Sequence, residues 1–362
     1  MKKIAIITLH SPMNCGSVLQ GFALNYYINN HLGLCSYIID YNPSYFENEG
    51  NTIRNLLRRV LFSRQYRSRK EKFRSFVETN DVLSKNNYKT FKELEEHSPE
   101  ADCFVVGSDQ LWNPYFKCGN DDAFFLKFVK NGSKISYATS LGSKHHGDEE
   151  LKHIADKFSD FSFVSVRERC SADQFKALGH SRVECVCDPT LLLSRVDYDR
   201  IAVDYSHLGK FVAVYLVEES DLLNKVLNFY RSKGFKIVGV GGYRKKYDCD
   251  LHIQDAGPAD FLGLIKYASV VVATSFHATV FSLINEKEFF IIPPKVNTAR
   301  IEELLGLVGC EKRIITSYEE FIDAERQSLD YQKISKKLTA HIDFSKKWLS
   351  KALQNLLEKD EE

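Results

Sequence analysis

Four stretches of this 362-residue chain carry polar side chains where short apolar runs break off, and each has the chemistry to hold an anion or a sugar. The first, His10 to Gln20, passes through Gly16 into a helical pattern, with Asn14 or Ser17 at the capping position. A helix start behind a strand turns free N–H groups and positive partial charge towards a ligand, so Asn14, Gly16, Ser17 and Gln20 are candidate contacts. An ordinary capped turn explains the same residues equally well. The second stretch, Val106 to Pro114, leaves an apolar run with Asp109, Gln110, Trp112 and Asn113 in close succession. A tryptophan face stacks on a pyranose while carboxylate and amide groups bond its hydroxyls, which makes these four candidate acceptor contacts. The alternative there is an Asx turn behind a core strand.

The third stretch, Ser165 to Arg169, places Arg167 and Glu168 just beyond a strand. An arginine fork takes a carboxylate or phosphate through two parallel hydrogen bonds, although an Arg-Glu pair is otherwise an ordinary salt bridge. Asp188-Pro189-Thr190 occupies the same position after another strand and reads alone as a turn. In the fourth stretch, Val270 to Thr279, a buried strand runs into a helix with Ser275 and His277 at the junction. A helix N-terminus disfavours the cationic imidazole and a bound phosphate restores it; a capping or packed histidine is the alternative. No His/Asp/Glu cluster has metal-ligand spacing, so no metal is expected.

Positioning these stretches requires parallel strands alternating with helices. Apolar runs at Ile4–Thr8, Tyr37–Asp40, Cys103–Val106, Ile135–Tyr137 and Val183–Val186 form one series; Phe211–Val217, Lys236–Val240, Val270–Ala273 and Phe289–Ile292 form a second. The expected organisation is a Rossmann-like lobe over 1–195, a second over 205–325 and a C-terminal helix over 327–362. Two parallel α/β lobes with ligands in the cleft between them fit a glycosyltransferase B-like architecture. Length favours two domains, and 44% hydrophobic with 27% charged residues marks an ordinary globular chain. A net charge of +1 argues against a nucleic-acid partner. Nine scattered cysteines without a Cys-x-x-Cys pair read as reduced, and Met1 to Leu9 reads as a strand rather than a signal peptide; a cytoplasmic protein is expected. The segment Arg54 to Arg74 is strongly basic, with an apolar stripe at Leu57, Val60 and Leu61. It reads as a helix lying peripherally on an anionic membrane or as a solvated lid.

Taken in order, Asn14–Gln20, Val106–Asn113, Ser136–Gly142, Ser165–Glu168, Asp188–Thr190, Gly257–Phe261 and Ser275–Ser282 resemble the polysaccharide pyruvyl transferase family. The resemblance implies phosphoenolpyruvate as donor substrate, no cofactor, a hexose of a bacterial surface polysaccharide precursor as acceptor, lipid-linked or otherwise, and a pyruvate ketal as product. It implies that Arg167 and His277 hold the donor; Arg300 also resembles a family position, and Ser275 stands where some members carry arginine. Ketal formation then needs an acid for the donor's methylene carbon, for which His277 is the candidate, and a base for the attacking hydroxyl, for which Asp109 or Glu168 is. The competing expectations are a nucleotide-sugar glycosyltransferase on the same architecture and a non-catalytic assembly protein.

Overall fold

A computed structural model describes residues 2–48, 63–143, 145–216, 218–241, 247–294 and 298–358. They form two compact units. The first holds a seven-stranded parallel sheet in the order β3-β2-β1-β4-β5-β6-β7, built from β1 (Lys3–Ile7), β2 (Cys35–Tyr41), β3 (Leu83–Tyr88), β4 (Cys103–Val106), β5 (Ser133–Thr139), β6 (Phe163–Val166) and β7 (Val183–Cys185). The second holds a five-stranded parallel sheet in the order β10-β9-β8-β11-β12, from β8 (Phe211–Tyr215), β9 (Lys236–Val240), β10 (Leu251–Ile253), β11 (Val270–Ala273) and β12 (Glu288–Ile291).

The central strands are continuous apolar runs because helices cover both faces of a parallel sheet. Strands β4, β8 and β11 are buried at every residue. Strand order reverses between β1 and β4 in the first unit and between β8 and β11 in the second. At such a switch point the outgoing chains diverge and leave a crevice beyond the carboxyl ends of the strands.

Two elements cross the expected boundaries. The C-terminal helix, Tyr331–Glu358, contributes residues up to Leu338 to the second unit and those from Thr339 to the first. There Ser345 Oγ accepts the Cys187 amide at 2.8 Å, and Leu349, Ala352 and Leu353 are fully buried. Helix Ser63–Asn80, in the first half of the chain, gives residues 63–76 to the second unit. Ser68 Oγ donates to Asp255 at 2.5 Å, while Lys72 Nζ pairs with Asp255 and Asp260 at 3.4 and 3.0 Å. Gly257 lies under this helix, where a Cβ would come within 2.8 Å of the Lys72 Cβ. The docked lysine thus explains a glycine within Gly257–Phe261. Arg54, Arg58, Arg59, Leu57, Val60 and Leu61 lie outside the described residues.

None of the nine cysteines is in a disulfide. Among the described residues no helix is long and apolar enough to cross a membrane, and no group of His, Cys, Asp and Glu is placed to hold a metal ion.

Candidate functional site

In the first unit the site begins where β1 and β4 part. Asn14 caps helix Cys15–Tyr26, its side-chain oxygen accepting from Gly16 N at 3.0 Å and Ser17 N at 3.4 Å. From the same turn Ser17 Oγ donates to Asp109 Oδ2 across the switch point at 2.5 Å. Asp109 adopts φ 78°, a left-handed conformation that a non-glycine residue holds only when its surroundings enforce it. Here they do: its carbonyl accepts Ser140 N at 2.9 Å, and its Oδ1 accepts the Gln110 amide at 2.9 Å.

Behind Asp109 lies a buried ionic cluster. Arg167 sits 2.7 Å from Asp188, 3.5 Å from Glu168 and 4.0 Å from Asp109, and all four residues are at most 7% exposed. Burial works against the guanidinium's charge, but Asp188, Glu168 and Asp109 together hold its pKa above the ordinary value. Asp188 is itself fixed by the Thr190 hydroxyl and amide at 2.6 and 3.0 Å and by Ser108 Oγ at 3.2 Å. Glu168 accepts from Ser140 Oγ and from the Leu141 amide. The Asp-Pro-Thr and Arg-Glu motifs are therefore halves of one network.

Several sequence-predicted residues lie in or beside this network. The Arg167 guanidinium, expected to hold the donor, donates from Nη1 to Asp188 at 2.7 Å and places Nε 3.5 Å from Glu168. Glu168, expected as a base, is 1% exposed and engaged by the loop after β5. Trp112, expected to stack on a sugar, is fully buried: its ring is stacked at 5.5 Å on Phe125 and 5.1 Å on Phe158, and its Nε1 donates to the Phe124 carbonyl. Asn113 and Gln20 are also structural. Asn113 bridges Gln110 Oε1 and the Tyr115 amide at 2.8 and 3.0 Å, and Gln20 donates to Thr8 Oγ1 and the Ser17 carbonyl, both at 2.7 Å. Gly142, at φ 82°, rests against the Gln110–Asn113 pair; a Cβ there would meet Gln110 Oε1 at 2.2 Å. Of the expected acceptor contacts, only Asn14 and Gln110 keep appreciable exposure.

In the second unit β8 and β11 part in the same way, and Thr274 Oγ1 donates across the opening to the Leu216 carbonyl at 2.7 Å. Ser275 caps helix Phe276–Ile284, accepting the Ala278 amide at 3.4 Å. His277 is 6% exposed at the second helical position, with its ring edge-on to Phe276 at 5.2 Å. Arg300, near the start of helix Ala299–Val308, places its guanidinium 5.8 Å from the Phe276 ring. Folding thus brings Arg300 from a later helix beside Phe276, whose chain neighbours Ser275 and His277 open the helix. Thr279 and Ser282 hydroxyls return to the carbonyls of Ser275 and Ala278 at 3.0 and 2.7 Å.

Comparison with solved structures places this architecture among glycosyltransferase B folds. UDP-GlcNAc 2-epimerase from Neisseria meningitidis, solved bound to UDP-GlcNAc, is similar at TM-score 0.56 and 11% identity, over 99% of this chain and 100% of that one. The UDP-N-acetylglucosamine 2-epimerase from Rickettsia bellii gives 0.53 and 11%, over 99% and 96%. The wall teichoic acid polymerase TagF gives 0.51 and 12%, over 99% and 90%. At these identities the likeness is one of fold. Among curated proteins none matches the chain. The sequence model of polysaccharide pyruvyl transferases matches residues 14–295, taking in both switch points, the buried Arg167 cluster and the His277 helix start. The chain belongs to the polysaccharide pyruvyl transferase family.

Proposed function

We propose that the protein transfers the pyruvyl group of phosphoenolpyruvate to two hydroxyls of a hexose in a bacterial surface polysaccharide precursor, forming a cyclic ketal without a cofactor. The observation that carries this reading is the approach of Arg300 to the start of helix Phe276–Ile284, which Ser275 caps and His277 joins at its second position. Phosphoenolpyruvate carries nearly three negative charges at neutral pH, given a phosphate second pKa of about 6. An arginine, a histidine and a capped helix start are the groups such an anion requires.

In the proposed reaction His277 protonates the donor's methylene carbon, leaving an oxocarbenium centre at the adjacent carbon. One sugar hydroxyl attacks that centre and loses its proton, phosphate departs, and a second hydroxyl closes the ring with loss of another proton. Asp109, at the carboxyl end of β4, is one candidate to receive a hydroxyl proton. Arg167 acts behind it as a positioning residue: its cluster fixes Asp109, Glu168 and the loop after β5. The acceptor is a hexose of the precursor, and a cytoplasmic site beside the inner membrane suits a lipid-linked one.

Calorimetric titration of phosphoenolpyruvate and, separately, uridine diphosphate into wild-type protein and His277→Ala tests the donor assignment. Saturable phosphoenolpyruvate binding, weakened about tenfold or more in the variant, is expected; tenfold corresponds to about 1.4 kcal/mol. Uridine diphosphate is the contrasting ligand because a structural neighbour binds UDP-GlcNAc. Binding of the nucleotide alone would replace the pyruvyl reading with glycosyl transfer. Binding of neither would favour an assembly protein.

A further inference from the structure

With Trp112 buried, the loop after β4 still carries one strongly exposed aromatic side chain, Tyr115, at 72%. Its backbone is fixed by the Asn113 side chain. Its ring lies nearly parallel to that of His146, with centroids 6.4 Å apart and 22° between planes. The two residues follow neighbouring strands, β4 and β5, at the same carboxyl end that holds Asp109.

His146 is placed like a working imidazole. Its side chain has no exposed surface, and its Nδ1 lies 2.8 Å from Glu150 Oε2 in the first turn of helix Asp148–Lys157. Its Nε2 is buried and has no hydrogen-bond partner among the described residues. In the tautomer whose Nδ1–H donates to the carboxylate, Nε2 carries a lone pair that no described donor meets. Leaving such an atom unsatisfied costs about 1–3 kcal/mol, a cost that a folded protein retains where a ligand supplies the missing partner. The network that positions Asp109 does not include this pair.

We propose that Tyr115 and the His146–Glu150 pair form the sugar-acceptor subsite. A pyranose rests its C–H face on Tyr115, and one of its hydroxyls donates to His146 Nε2. The imidazole has no exposed surface, so the hydroxyl reaches Nε2 only once its cover opens. As the hydroxyl oxygen bonds to the pyruvyl carbon, its O–H bond breaks, the proton passes to Nε2, and Glu150 balances the imidazolium. The departing phosphate later carries that proton away. Ketal formation releases two hydroxyl protons, so a second base beside Asp109 has a defined task. This subsite rests on the pyruvyl-transfer reading.

The test uses the methyl pyranosides of galactose, mannose and glucose as probes, with saturation-transfer NMR for binding and phosphate release from phosphoenolpyruvate for turnover. At least one pyranoside is expected to bind wild-type protein saturably. Tyr115→Ala should raise its Kd and KM about tenfold, or about 1.4 kcal/mol, and Tyr115→Phe should retain wild-type binding. His146→Gln should lower kcat by about 10²–10⁴-fold, and phosphoenolpyruvate binding should stay unchanged in every variant. Absence of binding by all three pyranosides, or wild-type binding by Tyr115→Ala, would overturn the subsite. If phosphoenolpyruvate fails to bind while a pyranoside binds through Tyr115, the sugar site stands and pyruvyl transfer falls.

Discussion

The carboxylates of the first unit behave differently according to what they face. Asp109, Glu168 and Asp188 share one buried arginine, an arrangement in which removing one partner costs about 3–5 kcal/mol because the remaining charges are left uncompensated. A substitution at Arg167 therefore disturbs the scaffold as well as any ligand, and His277 and Tyr115 are the cleaner probes. Asp81, just before β3, forms no salt bridge among the described residues, and both its carboxylate oxygens are buried. Burial pushes its carboxyl up to about 7 from the ordinary 3.8, against the pull of His10 and the Asn25 side chain. The folded state thus holds this proton more tightly than the unfolded chain. The resulting stability is complete below pH ~4 and is lost as pH rises through about 7. Asp81→Asn should leave the melting temperature near its wild-type value at pH 4 and raise it at pH 8, with a ceiling of about 4 kcal/mol from that pKa gap. Equal melting temperatures at pH 8 would show that the carboxylate is solvated after all. Little of this was legible in the sequence, because Asp81 and Asp109 are alike as letters and differ only in what surrounds them.

At the scale of elements, helix Ser63–Asn80 presents two faces. Ser68 and Lys72 dock on Asp255 and Asp260, and Phe73, Phe76 and Val77 are buried. Arg64, Arg67, Lys70 and Arg74 remain exposed, separated by three or four residues so that they lie along one stripe, with Glu71 paired to Arg74 at 2.7 Å. We propose that this stripe holds the protein peripherally on an anionic membrane, each cation near the surface contributing about 1 kcal/mol. Cosedimentation with phosphatidylserine vesicles should fall at least tenfold when all four become glutamine, and phosphatidylcholine vesicles should bind neither form. Unchanged sedimentation would leave the stripe a solvated face. The basic character was visible in the sequence, but the docked face was not, because its partners lie about 190 residues away along the chain. Strand β3 was unreadable for a related reason: Leu-Ser-Lys-Asn-Asn-Tyr is an edge strand with one fully buried residue, so it lacks the apolar run that marks its neighbours.

Across the whole molecule, both tryptophans belong to the first unit, Trp112 in its core and Trp348 near Tyr137 and Phe163 at 6.2 Å. Tryptophan fluorescence therefore reports on that unit, whereas far-ultraviolet circular dichroism reports on both. Phe290→Ala in the core of the second unit should cost about 3–5 kcal/mol, shifting the dichroism transition in urea and leaving the fluorescence transition in place. Coincident shifts would mean that the units unfold together. The chain's own order of residues determined the two parallel sheets and the carboxyl-end placement of its polar motifs. Strands such as β4 and β11 are buried on both faces, and burial of that kind writes itself locally as an unbroken apolar run. Only the tertiary structure decided which polar groups meet. The Ser17–Asp109 bond joins residues 92 apart, Trp112 is enclosed by phenylalanines from two later segments, and His146 finds Tyr115 from the neighbouring strand's loop. Exposure and pairing belong to neighbours in space, and a side chain's type does not name them.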